Sequence, residues 1–279
     1  MLVLCCVWGV QQVASKVALE GGLPPILQAL LRSMIAGSLL LLFIAGRGGL
    51  ARLFARDGTL WPGLLTSALF ACEFALLFEG MLRIPASRAV VILYTAAFFT
   101  AIGAHLAIPG ERLRPVNALG LLLAFAGVAA TIGAGKGGSI LGDMLVLGGA
   151  AAWGLTTVVV KGSRALMRTV PEKVLAYQVL GSIPPLLALA GWQGELHAPE
   201  ASRLAWLSLL YQSVGVTFAS YLTWVWLIGR YPAGRLAAFS VLTPLFGVVA
   251  AAVFLQEPIT PMLLVGLTCV GIGLKLVNR

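Results

Sequence analysis

The sequence predicts an all-α, polytopic membrane protein whose ten transmembrane helices form two inverted repeats of five helices. Three observations predict this fold class: the composition, the length of the apolar runs and an internal repeat. Of the 279 residues, 59% are hydrophobic and only 10% are charged, and the mean hydropathy is +0.98. Soluble proteins have about a quarter of their residues charged, so most of this chain must contact lipid or other helices.

Ten apolar runs are long enough to cross a membrane, because a bilayer core of about 30 Å requires about 20 helical residues. The predicted helices are residues 2–19, 27–44, 60–82, 87–108, 116–134, 140–160, 174–192, 204–228, 234–255 and 262–277. The first run contains Gln11, Gln12 and Lys16 and lacks a basic N-terminal region. These features favour a retained helix over a cleaved signal peptide.

Residues that begin or end helices bound most of these runs. Proline lies at or near the start of the second to fifth, seventh, ninth and tenth runs, at Pro24, Pro62, Pro85, Pro115, Pro171, Pro232 and Pro261. The sixth run follows a glycine-rich stretch, residues 135–138, and the eighth follows a polar stretch, residues 193–203. Proline and glycine at these positions are the expected boundaries of helices.

The two halves of the chain repeat each other with an offset of 145 to 147 residues. The repeated blocks are Trp8-Gly9 and Lys16 with Trp153-Gly154 and Lys161, residues 83–88 with residues 230–235, and residues 111–127 with residues 257–273. We therefore expect a first repeat in residues 1–134, a linker in residues 135–139 and a second repeat in residues 140–279. Internal repeats of membrane helices are typical of secondary transporters.

The distribution of Lys and Arg predicts the orientation. If the N-terminus is cytoplasmic, thirteen of these residues lie near inner helix ends and five near outer ends, and Arg32 lies within the second helix. Basic residues accumulate on the cytoplasmic side, so both termini are expected there. Five helices per repeat is an odd number, so the second repeat enters the membrane upside down, and the pseudo-two-fold axis lies in the membrane plane.

The repeated motifs resemble those of the drug/metabolite transporter superfamily. They are the Trp-Gly pair of helices one and six, the Pro-Ala-x-Arg turn before helices four and nine, and the Glu-x-x-x-Pro-x-x-x-x-Gly opening of helices five and ten. More narrowly, the whole chain resembles two tandem EamA-type units, the ten-helix exporters that include broad and aromatic amino-acid exporters. The resemblance implies a carrier in a bacterial-type inner membrane that exports amino acids and related metabolites. Helix four departs from the family pattern, because it lacks a proline to match Pro244 of helix nine, and we therefore expect it to be the straighter of the two helices.

Glu73 is the leading candidate for substrate binding, because it lies in the middle of the third apolar run. A charged group at the bilayer centre costs several kcal/mol, so such a residue normally faces a cavity or a partner. Its carboxylate could bind a substrate ammonium group or carry a proton. Alternatively, it could be neutral or form a structural ion pair with Arg32, and Arg32 could itself anchor a substrate carboxylate.

Aromatic and amide side chains complete the predicted lining of a central cavity. The candidates for substrate binding are Trp8, Gln12, Glu73, Tyr94, Trp153, Gln178, Tyr221 and Ser240. A cavity lined by rings with a few hydrogen-bonding groups suits an amphiphilic solute such as an amino acid better than a bare ion. The two tryptophans could instead pack at the repeat interface or belong to an interfacial aromatic belt.

Other acidic residues have simpler interpretations. Glu111 and Glu257 precede helices five and ten, where a carboxylate complements the positive end of the helix dipole. Glu79 and Arg83 are four residues apart and are expected to pair at the outer end of helix three.

Several chemistries have no motif in the chain. The four cysteines lack CxxC or Cys/His spacing, so we expect neither a metal site nor a disulfide framework, and no phosphate-binding loop or cofactor motif is present. Lys and Arg form no continuous basic face, so the net charge of +9 predicts lipid headgroups rather than nucleic acid as counterions. Two alternatives to amino-acid export remain. One is a carrier of another organic solute, such as a drug-like cation or a sugar-phosphate, and the other is a membrane-embedded enzyme that acts on lipid.

Overall fold

Apolar runs between the prolines form helices, and the described residues contain no strand. The computed structural model describes residues 1–133, 138–228, 230, 239 and 242–277. The principal helices are α1 (Leu2–Glu20), α2 (Pro25–Gly46), α3 (Leu60–Met81), α4 (Ala86–Ala107), α5 (Pro115–Gly133), α6 (Ile140–Gly162), α7 (Pro171–Trp192), α8 (residues 203–228), α9 (Leu242–Phe254) and α10 (Pro261–Val277). Two short helices, Leu50–Leu53 and Arg164–Arg168, lie in the connections after α2 and α6.

Six of these helices are long and apolar enough to cross a membrane: α1, α2, α3, α4, α6 and α7. The described parts of α5, α9 and α10 are apolar but shorter, and α8 is assembled from three consecutive helical segments. The all-α membrane fold is therefore confirmed, while the number of ten spans stays a prediction.

Two helices change their hydrogen-bond pattern in mid-span. α7 is interrupted at Ser182, where the prolines at the start of the segment Ile183–Trp192 cannot donate backbone hydrogen bonds. The central segment of α8, Tyr211–Ser220, is π-helical. Such segments are rare, and they frequently lie at functional sites.

α4 is interrupted as well, although its missing proline predicts a helix straighter than α9. The break falls between its segments Ala86–Leu93 and Ala96–Ala107. At the break the Thr95 hydroxyl donates to the Ile92 carbonyl at 2.6 Å, and the Thr95 N–H donates to the same oxygen at 3.0 Å. A threonine that bonds to the preceding turn therefore tightens the helix where no proline is present.

The glycine that follows each repeated tryptophan lies where helices of opposite halves cross. A Cβ atom on Gly9 of α1 would lie 2.7 Å from the backbone nitrogen of Gly247 in α9. A Cβ atom on Gly154 of α6 would lie 2.6 Å from the Cβ of Phe99 in α4. The first helix of each repeat thus packs closely on the fourth helix of the other, as small residues permit in membranes.

Contacts among the connections define two ends of the bundle, which we name by the predicted orientation. The outer end comprises residues 21–24, 82–85, 193–202 and 255–260, where for example the Ser202 N–H donates to the Gly21 carbonyl. The inner end comprises residues 47–59, 108–114 and 163–170, where the Thr169 hydroxyl donates to Asp57.

Candidate functional site

Three aromatic rings stacked along one face of α3, which we name the phenylalanine ladder, contact a buried arginine of α2. Phe70, Phe74 and Phe78 are spaced four residues apart, so they share one face of the helix, and all three are buried. The guanidinium carbon of Arg32 lies 3.3 Å from the centroid of the Phe74 ring. It lies 5.5 Å from the Phe70 centroid and 5.9 Å from the Phe78 centroid. Arg32 is completely buried.

The guanidinium group of Arg32 has no hydrogen-bond acceptor among the residues that the structure describes. All three of its nitrogen atoms are buried without a partner there. A cation–π contact contributes about 0.5–2 kcal/mol, whereas each unpaired buried donor costs about 1–3 kcal/mol, and more when it is charged. The rings alone therefore do not compensate for the burial of this cation.

Glu73 lies on the same face of α3 as this ladder and is also buried, with 6% of its surface exposed. Its carboxylate and the Arg32 guanidinium are close enough to interact electrostatically. Within the described residues, however, Glu73 forms no ion pair with Arg32. The structural ion pair considered from the sequence is therefore not formed in this structure.

Three more candidate residues extend from this pair one after another. Tyr221 of α8 lies near both Arg32 and Glu73, and Tyr94 of α4 lies near Tyr221. The Tyr94 ring packs edge-on against the Trp153 ring of α6, with the ring centroids 5.9 Å apart. We name Arg32, Glu73, Tyr94, Trp153 and Tyr221 the central cluster; they come from five helices and from both halves of the chain.

The other candidates lie apart from these contacts. Trp8 donates from its ring nitrogen to the Ser220 hydroxyl at 2.8 Å and packs edge-on against Trp224, so it joins α1 to α8. Gln12 is buried, and its side-chain oxygen has no donor in the described part of the chain. Gln178 is half-buried on α7, and Ser240 lies outside the described residues.

Sequence reasoning missed a buried amide network between α1, α2 and α8. The Gln212 side-chain oxygen accepts from the Ser15 hydroxyl at 3.0 Å and from the Gln28 amide at 3.1 Å. All three residues are fully buried, and Gln28 lies one helical turn from Arg32. A polar residue inside an apolar run is the available signal, but the sequence does not say which helices it would join.

Glu257 and Glu111 do not cap their own helices, which corrects the interpretation from the sequence. Glu257 accepts from the backbone N–H groups of Ala86 and Ser87 at 2.7 and 2.9 Å, so it caps α4 instead of α10. Glu111 lies in the α4–α5 connection, and one of its oxygens is 3.4 Å from the Lys161 ammonium nitrogen. The expected pair of Glu79 with Arg83 is confirmed, with an N–O distance of 2.8 Å.

Two acidic residues outside the spans have shifted pKa values. Hydrogen bonds from Thr59 and Lys173 hold the pKa of Asp57 well below its usual range. Burial raises the pKa of Glu195, although the Leu27 N–H donates to its carboxylate at 2.8 Å and opposes this change.

The fold defines a polytopic membrane protein with a polar, aromatic centre, and comparison with known proteins gives its class. The EamA-like transporter family matches residues 1–133 and 140–279. The chain belongs to this family, which is part of the drug/metabolite transporter superfamily. It is accordingly a membrane transporter.

Relatives match along nearly the whole chain. An uncharacterized transporter of Bacillus subtilis, YvbV, is 33% identical, and the match covers 99% of this chain and 89% of the relative. Probable amino-acid metabolite efflux pumps of Salmonella typhimurium and Escherichia coli are 31% and 30% identical, each over 98% of this chain and 91% of the relative. A crystal structure whose description names no function has a TM-score of 0.68 at 20% identity, covers 98% of this chain and 93% of that one, and supports the fold alone.

Proposed function

We propose that this protein exports amino acids, including aromatic ones, and related small metabolites across a bacterial-type inner membrane. Two observations support this function. Relatives that match nearly the whole chain are described as probable amino-acid metabolite efflux pumps. The observation that carries the proposal is the central cluster, where a buried carboxyl group and a buried guanidinium group lie beside aromatic rings.

Glu73 is the proposed partner of the substrate ammonium group. Its carboxylate is buried and has no ion pair in the described part of the chain, so a substrate cation would supply the missing charge. Tyr94, Trp153 and Tyr221 offer ring surfaces for an apolar side chain together with hydroxyl groups that can hydrogen-bond. We assign Trp8, Gln12, Gln178 and Ser240 to the remainder of the substrate path.

Alternating access between two inverted halves is the proposed mechanism. The repeats, residues 1–134 and 140–279, are joined by the linker 135–139, and both termini are proposed to be cytoplasmic. The central cluster draws residues from both repeats, so rocking of one half against the other would open it to each side in turn. Inverted repeats place such a site near the middle of the membrane.

The chemistry of the cluster disfavours the alternative functions. A drug-like cation would meet the buried guanidinium of Arg32, and a sugar-phosphate would meet the carboxylate of Glu73. Both encounters place like charges in a poorly solvated site, which is costly. A lipid-modifying enzyme is disfavoured because the chain belongs to a transporter family.

Counterflow of labelled phenylalanine in proteoliposomes that contain only this protein tests the proposal. The wild-type protein should exchange phenylalanine, and Glu73→Gln should slow the exchange by about 10- to 100-fold and flatten its pH dependence, because a charged hydrogen bond is lost. Glu79→Gln, six residues away on the same helix, is the matched control and should transport normally. Absence of amino-acid exchange by the wild-type protein would contradict the proposed function.

A further inference from the structure

We infer that Arg32 is the anchor for a substrate carboxylate, and that the central cluster therefore selects zwitterionic α-amino acids. This inference rests on the proposed function, because it concerns the same site. It adds a residue and a charge requirement, namely that the substrate must carry a carboxylate as well as an ammonium group.

The contact with Phe74 does not use the hydrogen-bond donors of the guanidinium group. The Phe74 centroid is 3.3 Å from the guanidinium carbon, a distance at which the ring lies over the flat face of the group. The five N–H donors of an arginine point outward along the edge of that plane. None has an acceptor among the described residues, and a carboxylate could accept two of them in parallel.

Two other buried cations of the described residues, Arg88 and Lys173, each have an acceptor. Arg88 forms an ion pair with Asp143, and both side chains are almost completely buried. The Lys173 ammonium lies 2.9 Å from an Asp57 oxygen and donates to the Ala55 carbonyl at 2.7 Å. Both of these buried cations have an acceptor, whereas Arg32 has none among the described residues.

Glu73 supplies the complementary charge without neutralising Arg32 directly. The two groups interact electrostatically but form no ion pair in the described structure. A zwitterion could place its carboxylate on Arg32 and its ammonium on Glu73. Each buried charge would then gain a partner of opposite sign, which neither a simple amine nor a simple acid provides.

Competition between phenylalanine and phenylalaninamide tests this assignment, because the two ligands differ only in the carboxylate. In wild-type proteoliposomes the amide should compete with labelled phenylalanine at least about tenfold less well. In Arg32→Gln, the apparent affinity for phenylalanine should fall by a similar factor, whereas the apparent affinity for the amide should change little. Arg32→Lys, which keeps the charge but not the paired donors, should give an intermediate result, and Arg83→Gln should behave as wild type.

If Arg32→Gln reduces the apparent affinities for phenylalanine and for the amide equally, Arg32 has a structural role and does not bind the carboxylate. If the wild-type protein exchanges no amino acid, the proposed function has failed, and a binding measurement then decides the role of Arg32. In that case 3-phenylpropionate should raise the unfolding temperature of the wild-type protein more than 3-phenylpropanamide does. The difference should vanish in Arg32→Gln, and its absence from the wild-type protein would overturn the inference.

A second inference rests on the unequal contacts of repeated residues. Lys16 and Lys161 are equivalent in the two repeats, as are Glu257 and Glu111. At the inner end Lys161 pairs with Glu111 at 3.4 Å, and both side chains are about half exposed. At the outer end the equivalent residues bind separately: Lys16 donates to the Met81 carbonyl at 2.5 Å, and Glu257 accepts from the start of α4.

We propose that Lys16 and Glu257 pair with each other in the opposite conformation, as Lys161 and Glu111 do here. Inverted repeats relate the two conformations by exchanging the arrangements of the halves. Release of Lys16 from the end of α3, and of Glu257 from the start of α4, would free the α3–α4 connection. The new ion pair would compensate for part of the stabilising free energy that is lost when those contacts break.

Cysteine cross-linking tests this exchange in protein whose four native cysteines are replaced. The pair Glu111→Cys with Lys161→Cys should cross-link readily without substrate. The pair Lys16→Cys with Glu257→Cys should cross-link only during transport, and the bond should stop transport until it is reduced. If this pair never cross-links in actively transporting protein, or if the cross-linked protein still transports, the exchange does not occur.

Discussion

The outer and inner ends of the bundle are held together in different ways. At the outer end Lys16, Glu257 and the buried pair of Arg88 with Asp143 join helices through short, shielded contacts. At the inner end the pair of Lys161 with Glu111, which is equivalent to Lys16 and Glu257, is solvent-exposed, although Lys173 of the same end is buried beside Asp57 and the Ala55 carbonyl. Two cavities of about 350 and 430 Å³ also lie at this end, beside the short helices Leu50–Leu53 and Arg164–Arg168.

This contrast teaches that equivalent sequence does not produce equivalent structure in the two repeats. Removing one partner of a buried ion pair costs about 3–5 kcal/mol, whereas a whole exposed pair is worth about 0–1 kcal/mol. The contacts of Lys16 and Glu257 should therefore cost more to break than the contact of Lys161 with Glu111.

The largest expected difference between the ends is their accessibility from outside the cell. A cysteine at His197, an exposed residue of the outer end, should react with a membrane-impermeant thiol reagent added to intact cells. A cysteine at Arg168, an exposed residue of the inner end, should react only after the membrane is opened. Reversed labelling would invert the proposed orientation and exchange the names of the two ends.

Loss of the buried outer ion pair should have the next largest effect. Asp143→Asn should reduce the free energy of unfolding by about 1.5–3 kcal/mol, because the buried Arg88 guanidinium loses a charged hydrogen bond to this carboxylate. Glu79→Gln removes a partly exposed ion pair at the same end and should cost less than about 1 kcal/mol. Thermal unfolding in detergent compares the two variants. If both lose similar stability, burial does not determine how much each ion pair contributes.

Removal of the repeated glutamates gives a smaller and more closely matched comparison. Glu257→Ala should reduce the free energy of unfolding by about 1–2 kcal/mol, because two backbone N–H groups at the start of α4 lose their acceptor. Glu111→Ala should cost less than about 0.5 kcal/mol, because only an exposed pair is lost. Neither change should alter substrate selectivity; a changed selectivity in competition assays would move the glutamate into the binding site.

The last comparison concerns acid stability at the inner end. The pKa of Asp57 is lowered in the folded protein, so its ionised form stabilises the fold above the unfolded pKa of about 4. This contribution is lost as the pH falls below that value. Asp57→Asn should therefore be less stable than wild type at pH 7, with a difference that shrinks below about pH 4. Glu172→Gln is the control. If the difference in stability between wild type and Asp57→Asn stays the same across the pH range, the proposed role of Asp57 is contradicted.

Patterns that depend on one helix at a time could be predicted from the sequence. The apolar runs, the repeated Trp-Gly pairs and the pair of Glu79 with Arg83 all follow from spacing along a single helix. Glu73 could be selected because a lone carboxyl in an apolar run is costly. These features required no knowledge of which helices are neighbours.

Features that depend on neighbouring helices could not be predicted in the same way. Glu257 caps a helix of the other repeat, and Gln28 and Gln212 meet across α2 and α8. The absence of a direct ion pair between Arg32 and Glu73 depends on the rotation of two helices about their axes. A single sequence does not give that rotation, so Arg32 could not be assigned.

The distance between a bound substrate and Arg32 tests the central claim most directly. Solid-state NMR of the reconstituted protein can measure the separation between a ¹³C-labelled carboxylate of phenylalanine and ¹⁵N-labelled arginine side chains, with Arg32→Lys as the control that removes the signal. We predict a contact of about 4 Å between the carboxylate carbon and a guanidinium nitrogen, as in a paired hydrogen bond. Bound phenylalanine with no arginine contact, or with a contact that persists in Arg32→Lys, would contradict the account.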